Sequence, residues 1–138
     1  MYISKKDREF IKRKFQGKCA YSGTELGGDW QIDHVKPIIR NRYDGTVYFK
    51  DEHNLKNMVP SQKLINHYKG SMDLELFRTW YLAGLHNRLK KLPKNPKTEK
   101  SIKRKAYLLA VAGFFDIEID KPFSGKFYFE TVISSNTK

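Results

Sequence analysis

Trp30-Gln31-Ile32-Asp33-His34-Val35-Lys36-Pro37 is the stretch whose reading decides the fold. Trp30 to Val35 is a short β-prone run, and Pro37 prevents an ordinary continuation inside a sheet. The run therefore reads as a strand that ends on an acid and a histidine, a pair that can hold a metal ion and a base side by side. Further on lie Asn57-Met58-Val59-Pro60-Ser61 and Asn66-His67-Tyr68-Lys69-Gly70. Leu55 to Val59 reads as a second strand, and Ser61 as the cap of a short helix over 62–69. Between the strands, residues 40–52 are polar and turn-rich, with Asp44-Gly45 as the expected turn. Strand, loop, strand, helix is the local order.

Working outward, residues 4–16 read as a helix that opens on Ser4, with Asp7 three residues later, and stops at Gly17. Phe10, Ile11 and Phe15 recur on it at helical spacing. Residues 18–29 read as a loop broken by Gly23, Gly27 and Gly28. After Gly70, Ser71 or Asp73 opens a helix whose apolar positions are Leu74, Phe77, Tyr81, Leu85 and Leu89, with Pro93 beyond its end. Trp80 and the other aromatics of this helix read as core. Another helix runs from about Thr98 to Phe115 with Ile102, Ala106, Leu109 and Ala112 as its apolar face. Ile117–Ile119 and Lys126–Val132 are expected to pair as a small hairpin around Pro122 and Gly125, with Phe127-Tyr128-Phe129 as packing residues.

The 138 residues are enough for one domain with its own core. Lys and Arg number 27 against 15 Asp and Glu, a formal net charge of +12. Such a surplus attracts polyanions, and nucleic acid is the first partner to expect. The single cysteine allows no internal disulfide and no all-cysteine zinc site. Met1 to Lys6 carry no apolar signal region, and no run approaches the length of a membrane span. The expected setting is the cytoplasm, without a membrane partner.

Phosphodiester hydrolysis needs an activated water, charge neutralisation at phosphorus and stabilisation of the leaving oxygen. A neutral imidazole near its ordinary pKa can take a proton from water at neutral pH. A divalent ion can neutralise the phosphate, and a hard ion prefers oxygen ligands such as a carboxylate and a carboxamide.

Asp33-His34, Asn57 with the following Val59-Pro60-Ser61, and Asn66 through Gly70 together resemble the HNH, or ββα-metal, nuclease family. The resemblance covers about residues 17–78. It implies an α+β fold with a ββα-metal core and flanking helices, the region 79–138 being a helical and hairpin extension of one HNH domain. It also implies a metal-dependent endonuclease of bacterial or phage type, working in the bacterial or phage-infected cell. The substrate it implies is DNA, with the duplex as the first expectation, cut to leave a 3′-hydroxyl and a 5′-phosphate. His34 would be the general base. Asp33 and Asn66 would hold one Mg²⁺ or Mn²⁺, and Asn57 would brace the loop between the strands and fix the His34 orientation. Lys69 would face the phosphate. Two register alternatives stay open: Asn54 for Asn57, and His67 for Asn66 as metal ligand. Many family members also hold a structural zinc with two Cys-x-x-Cys pairs. The matching positions here are Cys19, Ser22, Gln62 and Ile65, so no structural zinc is expected, and Tyr21, Trp30, Leu64 and Ile65 are the expected replacement core.

Candidate phosphate contacts are Lys36, Arg40, Lys63, Lys69, Arg88, Lys90, Lys91, Lys103 and Arg104. Such contacts position a protein on a nucleic acid without specifying sequence. His53 and His86 have no partner pattern and read as surface residues. Two other readings of the same residues are a basic nucleic-acid-binding module without cleavage and an RNA-directed nuclease. A secreted antibacterial nuclease is a further one. The sequence does not decide between monomer and homodimer.

Overall fold

Ser4 opens the first helix by accepting a hydrogen bond from the Asp7 amide at 3.1 Å, which satisfies one of the orphan donors of the first turn. The helix, α1, spans Lys5–Arg13. Gln16 and Gly17 then take φ of 55° and 81°, and the Gly17 amide closes the turn on the Lys12 carbonyl at 3.1 Å. Glycine holds that left-handed conformation without a Cβ clash. Of the expected apolar face, Ile11 is buried and Phe10 is exposed. The computed structural model describes residues 3–36, 39–40, 47–48 and 53–136. Pro37 and the expected turn at Asp44-Gly45 lie outside them.

Gln31–His34 forms β1. The short strands β2 (Ile39–Arg40) and β3 (Val47–Tyr48) pair with each other, and Leu55–Asn57 makes a 3-10 turn. Met58–Ser61 forms β4, antiparallel to β1, with Gln31 opposite Ser61, Asp33 opposite Val59 and His34 opposite Met58. The expected second strand therefore starts later than Leu55, because Asn54 caps the 3-10 turn by accepting from the Asn57 amide at 3.1 Å. Ser61 is not the helix cap. It is held in the ladder, and α2 (Lys63–Lys69) begins after Gln62 with no side-chain cap.

The fold mixes helix and strand, and its Cα trace groups into two compact units, Met1–Leu74 with Phe127–Lys138, and Glu75–Lys126. In the first unit Ile11, Trp30 and Met58 pack together with Ile3, Leu26 and Ile32 against them. Cys19, Tyr21 and Ile65 are also buried, while Leu64 is half-buried. The loop over 18–29 is clasped by Gln62. Its Nε2 donates to Thr24 Oγ1 (3.0 Å) and the Glu25 carbonyl (2.5 Å), and its Oε1 accepts from the Gly27 amide (3.2 Å).

The expected C-terminal hairpin does not form. Tyr128–Asn136 is a helix, and Glu118 makes an isolated bridge to the nearby Lys121. Tertiary hydrogen bonds override the β propensity of Phe127-Tyr128-Phe129. The Phe127 amide is taken by Glu130 Oε1 at 2.9 Å, and those of Tyr128 and Phe129 by the Tyr21 and Ala20 carbonyls at 3.0 and 2.8 Å. These are the orphan donors of a helix start. Phe127 is buried against Tyr21, with ring centroids 5.4 Å apart.

The second unit is helical. The expected single helix over 74–89 is instead α3 (Leu74–Leu76), a π-helical stretch (Phe77–Leu82) and α4 (Leu85–Lys90). The wider π turn changes the phase of the side chains. Phe77, Leu82, Leu85 and Leu89 are the buried set, and Trp80 stands 67% exposed rather than in the core. Thr98 caps α5 (Glu99–Phe114) by accepting from the Ser101 amide at 3.1 Å. This helix buries Leu108, Val111 and Ala112. The expected apolar face is corrected, since Ile102, Ala106 and Leu109 are exposed.

Candidate functional site

Side chains alternate along a strand, so Gln31 and Asp33 share one face of β1. Asn66 and Lys69, one turn apart on α2, share one face of that helix. These two faces meet. Asn66 Nδ2 donates to Gln31 Oε1 at 2.7 Å, and Lys69 Nζ lies 3.1 Å from Asp33 Oδ2. Asp33 and Asn66 therefore sit diagonally on one β1–α2 layer.

Asp33 is 7% exposed and Lys69 1%. Tyr21 Oη donates to the same Asp33 Oδ2 at 2.5 Å. Burial, then the Asp33 charge, pushes the Tyr21 phenol well above its ordinary value, so it remains a donor. Lys69 also donates to the His34 carbonyl at 3.1 Å, which ties α2 to the end of β1. The expectation that Lys69 faces the phosphate is corrected: its ammonium is turned inward, because Asp33 would otherwise be a buried charge without a counter-ion.

His34 is half-buried at the end of β1. Its Nε2 lies 2.9 Å from Nδ1 of His53, and the two rings are tilted at 31°. His53 is thus a partner of His34, not an isolated surface residue. Burial pushes the His34 imidazole below its ordinary 6.5. The His53 charge, and more weakly that of Lys69, act in the same sense, while Asp33 opposes them.

Asn57 does its work next to His34. Its Oδ1 accepts from the Lys36 amide and its Nδ2 donates to the Lys36 carbonyl, both at 2.8 Å. The Val35 amide donates to the Asn57 carbonyl at 3.0 Å. One carboxamide thus holds both the amide and the carbonyl of Lys36, two residues beyond the strand. The turn that carries Asn57 is fixed from below by Lys14, whose Nζ donates to the carbonyls of Leu55 and, at 2.6 Å, Met58. Asn54 caps that turn. His67 is exposed, whereas Asn66 is half-buried and bonded to β1.

Sequence reasoning missed Tyr21, Gln31, His53 and Lys14. Tyr21, His53 and Lys14 stand in no local motif and meet the site only through the tertiary fold, whereas Gln31 was signalled by its place two residues before Asp33 on one strand face. Of the expected phosphate contacts, Lys36, Lys63, Lys90, Lys91, Lys103 and Arg104 are exposed. Arg88 is half-buried, with its guanidinium over the Tyr81 ring and bonded to the Tyr81 carbonyl. The backbone of Arg40 lies on β2, and its side chain is outside the described set. Among the described residues no group of three or more His, Cys, Asp or Glu side chains is placed to hold a metal ion. The donors suited to a hard cation are two oxygens on one layer, from the Asp33 carboxylate and the Asn66 carboxamide. The Tyr21 hydrogen bond and the Lys69 ion pair both fall on Asp33 Oδ2.

No protein-family model, curated protein or solved structure matches this chain.

Proposed function

We propose that this chain is an HNH-type endonuclease that hydrolyses phosphodiester bonds in DNA, with β1, β4 and α2 as its ββα core and His34 as general base. The observation that carries the reading is the grip of Asn57 on both the amide and the carbonyl of Lys36, beside His34. A carboxamide spent on a single backbone residue buries little apolar surface. What it does is fix the chain that leaves the histidine, the role the resemblance assigns to Asn57.

In this reading His34 donates from Nε2 to His53 Nδ1, which leaves His34 Nδ1 with the lone pair. Burial keeps the ring neutral, the form able to take a proton from water. The hydroxide oxygen then bonds to phosphorus as the bond to the leaving oxygen breaks. Lys69 holds the carbonyl of the base residue and Asn57 the backbone of Lys36, two residues further on. Asp33 and Asn66 would hold one Mg²⁺ or Mn²⁺, which supplies charge neutralisation at phosphorus when bound. Two oxygen donors suit an ion that keeps several waters. The Lys69 charge on the same carboxylate makes that ion weakly held. Gln62, at a position where many family members place a zinc ligand, ties its loop with three hydrogen bonds instead. Lys36, Lys63, Lys90, Lys91 and Arg104 are the exposed cations offered to phosphate. Each phosphate neutralised adds about −0.9 to the salt slope of duplex binding.

One observation favours a second reading, a basic nucleic-acid-binding module without cleavage: Asp33 is buried and already engaged by Lys69 and Tyr21. A supercoiled-plasmid assay with Mg²⁺, Mn²⁺ or EDTA separates the two. The nuclease reading expects metal-dependent nicking that is lost in His34→Ala while DNA binding persists. Salt-sensitive binding without cutting under any metal would establish the binding module.

A further inference from the structure

The resemblance charges Asn57 with the orientation of His34, but Asn57 spends both ends of its carboxamide on Lys36, two residues along the chain. Among the described residues, the one side chain hydrogen-bonded to the His34 ring is that of His53, whose Nδ1 lies 2.9 Å from His34 Nε2. Such a partner matters for an imidazole. The torsion that turns the ring is broad and nearly two-fold, so a ring without a partner exchanges its Nδ1 edge for a carbon edge. One hydrogen bond at Nε2 fixes the rotation, and it also fixes which nitrogen carries the proton.

Counting protons decides the direction of the bond. Two ring nitrogens at hydrogen-bonding distance share one proton. If His34 supplies it, both neutral rings are Nε2–H tautomers, the form that histidine prefers in water. If His53 supplies it, both rings must be Nδ1–H, the less favoured form of each. The first arrangement therefore costs neither ring its preference, and it leaves the lone pair of His34 on Nδ1. His53 is itself held in place. It directly precedes Asn54, which caps the turn over Leu55–Asn57, and Lys14 grips the Leu55 and Met58 carbonyls. Met58 in turn stands opposite His34 in the ladder. One pinned segment thus carries His53 at its start and ends on the strand beside His34.

We infer that His53 is the positioning residue of the His34 ring: it holds that ring in one rotation and as the Nε2–H tautomer, with the lone pair on Nδ1. Asn57 then secures the chain beyond the strand, and His53 aims the imidazole. The tautomer and the rotation stand on the geometry of the pair. Only their use, to present a base to water, rests on the nuclease reading.

Nitrogen-15 correlation spectra of the full chain read the tautomer directly. The protein is labelled at its four histidines and held in EDTA at about pH 8, above the ordinary imidazole value. His34→Gln identifies the His34 signals by their loss. Wild-type His34 is expected to show a protonated Nε2 and an unprotonated Nδ1, without averaging between them. His53→Ala should move both shifts toward the tautomer average of free histidine. His53→Asn, which keeps an acceptor near the place of Nδ1, should restore them. A His53 that merely supports the fold would leave the His34 tautomer unchanged in both variants. Wild-type His34 with its proton on Nδ1, or already averaged, overturns the inference, whatever becomes of His53→Ala. So does an unchanged His34 in a folded His53→Ala. Where the plasmid assay shows nicking, kcat should fall by up to about 100-fold in His53→Ala with KM little changed, and recover in His53→Asn. Nicking untouched by His53→Ala overturns the inference as well. A locked His34 in a protein that never nicks meets it and sinks the nuclease reading instead.

Discussion

Around β1 and α2 the chain buries charge, with Asp33 and Lys69 in contact and Ser61, Asn57 and Gln62 beside them in the interior. Around α5 it does the opposite, leaving Ile102, Leu109 and Ile119 half in water. Neither arrangement favours stability. A buried ion pair loses hydration that its attraction barely recovers, and well-packed apolar residues in its place are often as stable. Leaving half of a leucine or isoleucine in solvent forgoes about 1 kcal/mol of burial. The interior ion pair joins α2 to β1, while the half-exposed side chains of α5 add little to the core of their own unit.

The harshest way to break that comparison is Lys69→Met. If Asp33 is as desolvated as its 7% exposure says, the variant leaves a buried charge served by the Tyr21 hydroxyl and without its counter-ion. Urea denaturation at neutral pH should then show a loss of about 3–5 kcal/mol. The double variant Asp33→Asn with Lys69→Met should recover most of it, because the charge and its counter-ion leave together. A single-variant loss below about 1 kcal/mol would mean that water already serves the pair, as in surface ion pairs.

Adjacent leucines on α5 sharpen the other half. Leu108 is 2% exposed and Leu109 49%. Leu108→Ala should cost about 2–4 kcal/mol through lost burial and a cavity, and Leu109→Ala less than about 1 kcal/mol for the monomer. Equal costs, measured at low concentration by the same denaturation, would mean that the outer face of α5 is packed after all.

These two leucines also show where the sequence is legible and where it is not. Local chemistry could be read. Ser4 caps the helix it was expected to open, a helix starts next to Thr98 as expected, Gly17 ends the turn after α1, and a strand lies within the expected Trp30–Val35 run. A helix with two apolar faces does not say which face the rest of the protein takes, so the core side of α5 was misread. The π-helical register at Phe77–Leu82 has no pattern that announces it, and Trp80 moved from core to surface with it. Phe127-Tyr128-Phe129 looks like a strand until the carbonyls of Ala20 and Tyr21, distant in sequence, supply the helix start with acceptors. In the candidate site the residues in register, Asp33, His34, Asn57 and Asn66, came from local motif. Their partners Tyr21 and His53 came only from the fold, because nothing within a few residues of them marks the contact, while Gln31 shares a strand face with Asp33 and could have been read.

A smaller effect is expected at Asn57. Asn57→Ala removes two hydrogen bonds to Lys36, but Lys36 is exposed and water can reach its backbone. The stability loss should be about 1–2 kcal/mol. If DNA cutting is observed for the wild type, it should fall in this variant by more than the stability loss explains, since the chain beside His34 is no longer held. Loss of stability alone would make Asn57 a structural residue and reduce the site to its ion pair.

The smallest expected effect is in the pH dependence of the metal-free protein. The folded pKa of His34 lies below the unfolded value of 6.5, first because of burial and then because of the facing His53, with Lys69 acting in the same sense and Asp33 against it. Below 6.5 the unfolded chain therefore takes up a proton at this residue more readily than the folded one. The derivative of unfolding free energy with pH is positive wherever the unfolded state binds more protons. The contribution of His34 is thus fully present above the unfolded pKa and lost as pH falls through the folded one. Urea midpoints at about pH 7.5 and about pH 5.5 bracket the ordinary imidazole value. Wild type should lose more between them than His34→Gln, a neutral side chain that keeps a hydrogen-bonding group toward His53. Two parallel losses would mean that the His34 imidazole titrates as freely as one in water. Burial would then reach Asp33 and Lys69 and stop one residue short of the base.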